Sequence, residues 1–205
     1  MKSKQNRPRG GAEQHTHFIG LTLPEELAET IEDCRSWMEG RYGCRSGHGT
    51  PPHITLVAPF ALPPDYGEND VAGCCMTALM SCSMEGIWPL EVCVDGFGSF
   101  LERTLFAHVQ DSEGWQGAYR QFVHAFGAAM PGLLKKTGRR FYPHISIANR
   151  DIPAGAMDEA LGHFSQLGLQ YSFRADTVAI FTRTREGGWT VGREIDWQPT
   201  LVPAN

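Results

Sequence analysis

The string Pro-His-Ile-[Ser/Thr]-[Leu/Ile] occurs twice in this chain, as Pro52-His53-Ile54-Thr55-Leu56 and as Pro143-His144-Ile145-Ser146-Ile147. Each copy opens a short β-rich run, HITLVAPF in the first half and FYPHISIAN in the second. Side chains alternate faces along a strand, so His53 and Thr55 point one way while Ile54 and Leu56 point the other. His144 and Ser146 stand in the same relation to Ile145 and Ile147. Each run must bury its Ile and Leu face and present one imidazole and one hydroxyl on the other. A fold that accepts both needs two half-buried strands in equivalent surroundings.

The elements around the two copies follow one plan. HFIGLTL, residues 17–23, reads as a strand. A helix follows, with Pro24 in its first turn and Leu27, Ile31, Cys34 and Met38 on its apolar face. A Gly-, Ser- and Pro-rich loop, 43–52, then leads to His53. In the second half, TLFAHV (104–109) is the strand, and the helix from Asp111 to Met130 carries Trp115, Tyr119, Phe122 and Phe126 on one face. The basic turn KKTGRR leads to His144. Further helices are expected at 68–84 and 154–167, with strands at 89–95, 171–182 and near 189–196.

The length of 205 residues suits one domain or two small lobes sharing a core. Residues 1–14 are expected to be a disordered tail and 15–205 a single bilobal unit. With 41% hydrophobic and 20% charged residues the chain reads as a globular protein. No apolar run is long enough for a membrane helix and no secretion signal is seen, so a cytoplasmic monomer is expected. The six cysteines show no zinc spacing and are read as reduced, mostly buried thiols. His15 and His17 form a His-x-His pair without a third ligand nearby, so no metal is assigned. The net charge of −5 argues against broad nucleic-acid binding and leaves local basic patches, Lys2 to Arg9 and Lys135, Lys136, Arg139 and Arg140.

Two such strands side by side across a pseudo-twofold axis would bring four polar groups onto one cleft of phosphate size. In-line cleavage of a phosphodiester needs one group to take a proton from the attacking oxygen and another to give one to the leaving oxygen. Two imidazoles, titrating near neutrality, supply both roles, so His53 and His144 are the candidate catalytic residues. Thr55 and Ser146 can donate to the non-bridging oxygens. The scheme calls for no metal and no cofactor. Tyr142, two residues before His144, is expected on the same face and near the cleft. Phe60, Phe97, Phe100 and Trp189 are further aromatics near the motif runs. Arg103, Arg183 and Arg185 are candidate phosphate contacts, and His17 is a candidate for the cleft border.

The doubled His-x-[Ser/Thr]-x pattern resembles the signature of the two-histidine (2H) phosphoesterase superfamily, which includes 2′-5′ RNA ligase-like proteins and cyclic phosphodiesterases. The resemblance spans residues 17–198. It implies an α+β, bilobal fold with two antiparallel sheets, outer helices and a central cleft. It also implies action on 2′,3′-cyclic or 2′-5′ phosphodiesters of a nucleotide or RNA end. An arginine often follows the second motif in these families as His-x-Thr-x-Ala-Arg; here Asn149 intervenes and Arg150, the candidate substrate contact that the resemblance implies, comes one residue late. On a regular strand that shift turns Arg150 to the opposite face. The readings left open are a hydrolase, a 2′-5′ ligase acting on tRNA halves, a non-catalytic nucleotide-binding module, and an interaction protein whose repeat is structural.

Overall fold

The structure is a computed structural model and describes residues 15–134 and 140–196. Twelve elements alternate in the expected order: β1 (His17–Thr22), α1 (Glu25–Tyr42), β2 (His53–Phe60), α2 (Glu68–Met84), β3 (Leu90–Phe100), β4 (Thr104–Val109), α3 (Glu113–Ala129), β5 (His144–Asn149), α4 (Ala156–Ser165), β6 (Gln170–Ala175), β7 (Thr177–Arg183) and β8 (Trp189–Asp196). Helix α1 buries Leu27, Ile31, Cys34 and Met38, the stripe its periodicity requires, together with Arg35. Helix α3 starts at Ser112, whose side chain accepts from the Trp115 amide, and buries Trp115, Phe122 and Phe126. Each such fully buried side chain stabilises by about 1.5–3 kcal/mol.

The strands run in the order β6-β3-β4-β5-β2-β1-β7-β8, every pairing antiparallel. The α+β fold with outer helices is as expected, and the two expected sheets are joined at their edges into one. The seam is a single register pair, Ile54 with Ile145. The expected strand 171–182 divides at Asp176 into β6 and β7, which belong to different lobes. That division shapes the sheet. β6 and β7 stand six strand spacings apart, about 29 Å if the sheet were flat. One intervening residue spans at most about 7 Å. The sheet therefore folds about its seam.

The apolar sides of β1, β2, β4 and β5, with Ile19, Leu21, Ile54, Leu56, Leu105, Ala107, Ile145 and Ile147, share one core with the helices. A separate small cluster of Phe18, Ala179 and Phe181 lies on the other face. The helices cross the seam: α1 packs on β5 and α3 on β2. Each lobe thus supports the other's motif strand. All six cysteines are free thiols, five of them buried.

Candidate active site

Ile54 faces Ile145 across the seam. One step along antiparallel strands sets His53 opposite Ser146 and Thr55 opposite His144, all four on the face away from the helices. His53 and His144 are then diagonal neighbours, about 7–8 Å apart with their Cβ atoms somewhat closer. Both motif strands carry a bulge at the residue after the hydroxyl. Thr55 pairs with Gly20 and Val57 with Ile19, skipping Leu56; Ser146 pairs with Phe106 and Ala148 with Leu105, skipping Ile147. Leu56 and Val57 are both buried, as are Ile147 and Ala148. The bulge turns two consecutive apolar side chains into the core and re-aims the residues beyond them.

Each imidazole is held in the same way. Nδ1 of His53 lies 2.8 Å from the Pro51 carbonyl oxygen, and Nδ1 of His144 lies 2.8 Å from the Tyr142 carbonyl oxygen. A carbonyl only accepts, so Nδ1 carries the proton and donates in both rings. Nε2 of each neutral ring is left with its lone pair free. Aromatic rings wall both. Phe18 and Phe181 lie 4.6 and 5.0 Å from His53, and Phe100 and Phe106 lie 5.0 and 5.4 Å from His144, between ring centroids. Burial lowers the His53 pKa to about 4; the Pro51 hydrogen bond opposes this, and the Arg35 and His144 charges add to it. Burial also lowers His144, against the hydrogen bond to Tyr142. At rest near neutral pH both rings are uncharged.

The remaining sequence candidates scatter. Tyr142 is part-exposed and adjoins Phe100, Phe106 and His108, on the wall of His144. Arg150 is not on the strand: it follows β5 with a left-handed φ of 76° and its amide donates to the Arg103 carbonyl. The expected reversal of face therefore does not arise. The bulge at Ile147 instead puts Asn149 on the histidine face, paired with Thr104 and accepting from its hydroxyl at 3.0 Å. Arg103 sits in the β3–β4 turn, Arg185 is exposed in the β7–β8 turn, and the Arg183 guanidinium lies over the Trp189 ring. His17 is on the helix side of β1, stacked on Phe60, and does not border the cleft. Phe60 and Phe97 pack in the core against Phe126 and Phe164, whereas Trp189 packs on Phe18. Residues 1–14 and Lys135, Lys136 and Arg139 lie outside the described residues. Arg140 is exposed and paired with Asp111 at 2.6 Å.

The loop 43–52 is fastened to the second lobe at Asp151 and Asn149 and to β8 of its own lobe at Trp189. Asp151 accepts from the Arg45 and Ser46 amides and the Ser46 hydroxyl at 2.6–2.8 Å. Ser46 Oγ accepts from the Asn149 amide, and the Gly49 carbonyl from the Trp189 amide. A Cβ at Gly47 would stand 2.2 Å from the Ile147 carbonyl oxygen, so only glycine fits there.

Sequence reasoning missed Phe18, Phe106, Phe181, His108 and Arg35. Alternation in the strands next to the motifs carried part of the signal: Phe106 and His108 share a face of β4, and Phe18 shares one with Gly20 and Thr22 of β1. Nothing in the helical pattern of α1 marked Arg35.

A bilobal sheet with outer helices, carrying a mirrored His-x-[Ser/Thr] pair at its seam, defines the 2H phosphoesterase architecture. The sequence matches the family model of the 2′-5′ RNA ligase superfamily over residues 23–187, and the chain belongs to that family. No curated protein is similar enough in sequence to match. Among solved structures the chain is similar to TT0787 of Thermus thermophilus, at 17% identity and a TM-score of 0.62, over 88% of this chain and 97% of that one. It is similar to E. coli LigT complexed with 3′-AMP, at 15% identity and a TM-score of 0.60, over 90% and 99%. A crystal structure described as a phosphoesterase gives 14% identity and a TM-score of 0.63, over 90% and 99%. These likenesses are of fold.

Proposed function

We propose that this protein is a metal-independent phosphodiesterase acting on 2′,3′-cyclic or 2′-5′ phosphodiesters of nucleotides or RNA ends. His53 and His144 serve as its acid–base pair, and Thr55 and Ser146 hold the phosphate. The observation that carries the reading is the seam at Ile54 and Ile145, which sets two identically tethered imidazoles and two hydroxyls around one point. The resting pair is neutral, so it lacks the acid. Binding of a phosphodiester anion lets one ring take up a proton from solvent, because a negative charge within about 4–6 Å favours the protonated form of a nearby ring. One Nε2 then takes a proton from the attacking water as its oxygen bonds to phosphorus. The other gives its proton to the ribose oxygen as the P–O bond breaks. The product is a phosphomonoester, and the pair ends with the proton on the opposite ring. The Thr55 and Ser146 hydroxyls donate to the non-bridging oxygens throughout.

The fold likeness to LigT in complexes with 3′-AMP, NADP+ and ATP supports a nucleotide as the occupant. The family description favours a second direction for the same site, in which a ribose hydroxyl replaces water and a 2′-5′ linkage forms. The test is hydrolysis of 2′,3′-cyclic AMP by the purified protein in EDTA, with 2′-AMP and 3′-AMP resolved. Turnover undiminished by the chelator is expected. Turnover abolished by EDTA and restored by a divalent ion would overturn the metal-independent scheme.

A further inference from the structure

Arg35 is a charged side chain only 3% exposed, in the middle of an otherwise apolar helix face. Its Nη1 donates to the Thr50 carbonyl at 2.8 Å and to Glu32 at 2.9 Å, and its Nη2 donates to the Ser146 carbonyl at 3.1 Å. Thr50 lies three residues before His53, and Ser146 is itself a motif residue. The guanidinium therefore bonds directly to both motif segments, from opposite sides of a seam that has one register pair. The matching carbonyl in the other lobe, that of Phe141, takes the neutral Gln116 side chain at 3.1 Å. Among the described residues, a guanidinium serves the carbonyl three residues before His53 and a neutral amide the one three residues before His144.

We propose that Arg35 is a positioning residue for the two-histidine site: its rigid fork fixes the offset of the two motif segments. The proposal rests on the phosphodiesterase reading of that site. A planar guanidinium can serve two carbonyls at fixed spacing, which a lysine ammonium cannot do with the same geometry. The groups around His53 are Phe18 and Thr22 of β1, Phe181 of β7, His144 and Ser146 of β5, the Pro51 carbonyl and Arg35 of α1. The charged groups next outward are Glu32, paired with Arg35, and Glu194 of β8, which accepts from Thr22 at 3.4 Å. Burial chiefly, and the Arg35 charge with it, oppose protonation of His53.

The experiment compares wild type, Arg35→Met and Arg35→Lys by NMR titration of the histidine imidazoles and by kcat and KM on 2′,3′-cyclic AMP. In Arg35→Met the His53 midpoint should rise by about one pH unit. Its kcat should fall about 10²-fold with KM little changed, because the reacting groups are displaced and not removed. Arg35→Lys keeps the charge and loses the fork, so the midpoint should hold while kcat still falls. A folded Arg35→Met with an unmoved His53 midpoint and wild-type kcat overturns the proposal. Should Arg35→Met not fold, Arg35→Lys decides: reduced kcat supports the proposal and wild-type kcat overturns it. A wild-type protein without turnover would sink the phosphodiesterase reading and leave the midpoint shift readable, so the two failures are distinguishable.

Discussion

The two lobes build the same histidine environment from different side chains. Around His53 the glycine is on the strand next to the motif strand and the ring reaches over it from the strand beyond: Phe181 lies 3.4 Å from where a Cβ of Gly20 would be. Around His144 the roles are exchanged, with Phe106 on the neighbouring strand and Gly98 opposite it on the strand beyond, a Cβ there standing 3.0 Å from the Phe106 ring. Ring and void are kept as a pair while the positions swap. The features without exchange are the imidazole, its tether to the carbonyl two residues back, the hydroxyl and the bulge. Those are the groups that two-histidine chemistry uses. The supports outside that set differ: Arg35 and Trp189 flank His53, and Tyr142, His108 and Gln116 flank the other side.

If the aromatic walls are equivalent in packing as well as in place, Phe181→Ala and Phe106→Ala should each cost about 3–5 kcal/mol in urea unfolding. A cost at one position and none at the other would show that only one lobe leans on its wall. The hydroxyls come next. Thr55→Val and Ser146→Ala should each lower kcat about 10²-fold with the unfolding midpoint nearly unchanged, the effect expected for a donor to the reacting phosphate. Equal losses would show a phosphate held symmetrically, and unequal ones would show which lobe carries the leaving oxygen.

Much of this was legible in the sequence because it is local. Alternation in HITLVAPF and HISIAN assigned the faces of β2 and β5, and periodicity located α2 and β4 at their observed bounds. The break at Asp176 was not legible. The run from Gln170 to Arg183 keeps strand character throughout, and only pairing with β3 on one side and β1 on the other divides it. The same holds for the site. His53, His144, Thr55 and Ser146 stand in the motif itself, but the bulges that place Asn149 on the cleft face are a property of paired strands. Arg35 was hidden because a helix face shows its buried cation only once the carbonyls it serves have been brought to it from Thr50 and Ser146, far apart in sequence.

Acid stability gives a finer view of the same asymmetry. The folded pKa of His53 is lowered from 6.5 to about 4, so between those values the unfolded chain binds more protons than the folded one. The His53 contribution is fully present above pH 6.5, is lost as pH falls through that window, and levels off below about 4. His144, also lowered by burial, adds a slope of the same sign. Urea unfolding from pH 7.5 to 4 should show stability falling, with a shallower fall in His53→Ala and a lesser flattening in His144→Ala. Equal flattening in both variants would say that the two rings are shifted alike.

Beneath these differences, the proposed function has His53 and His144 acting as one unit on one substrate. A double-mutant cycle on 2′,3′-cyclic AMP hydrolysis measures this, with His53→Ala, His144→Ala and the double variant all verified as folded. Each single variant should lose about 10³-fold in kcat, and the double variant should lose little more than either, because a proton relay with one member missing has already failed. A double variant whose loss equals the product of the two single losses is incompatible with such a relay, since the histidines would then be acting independently.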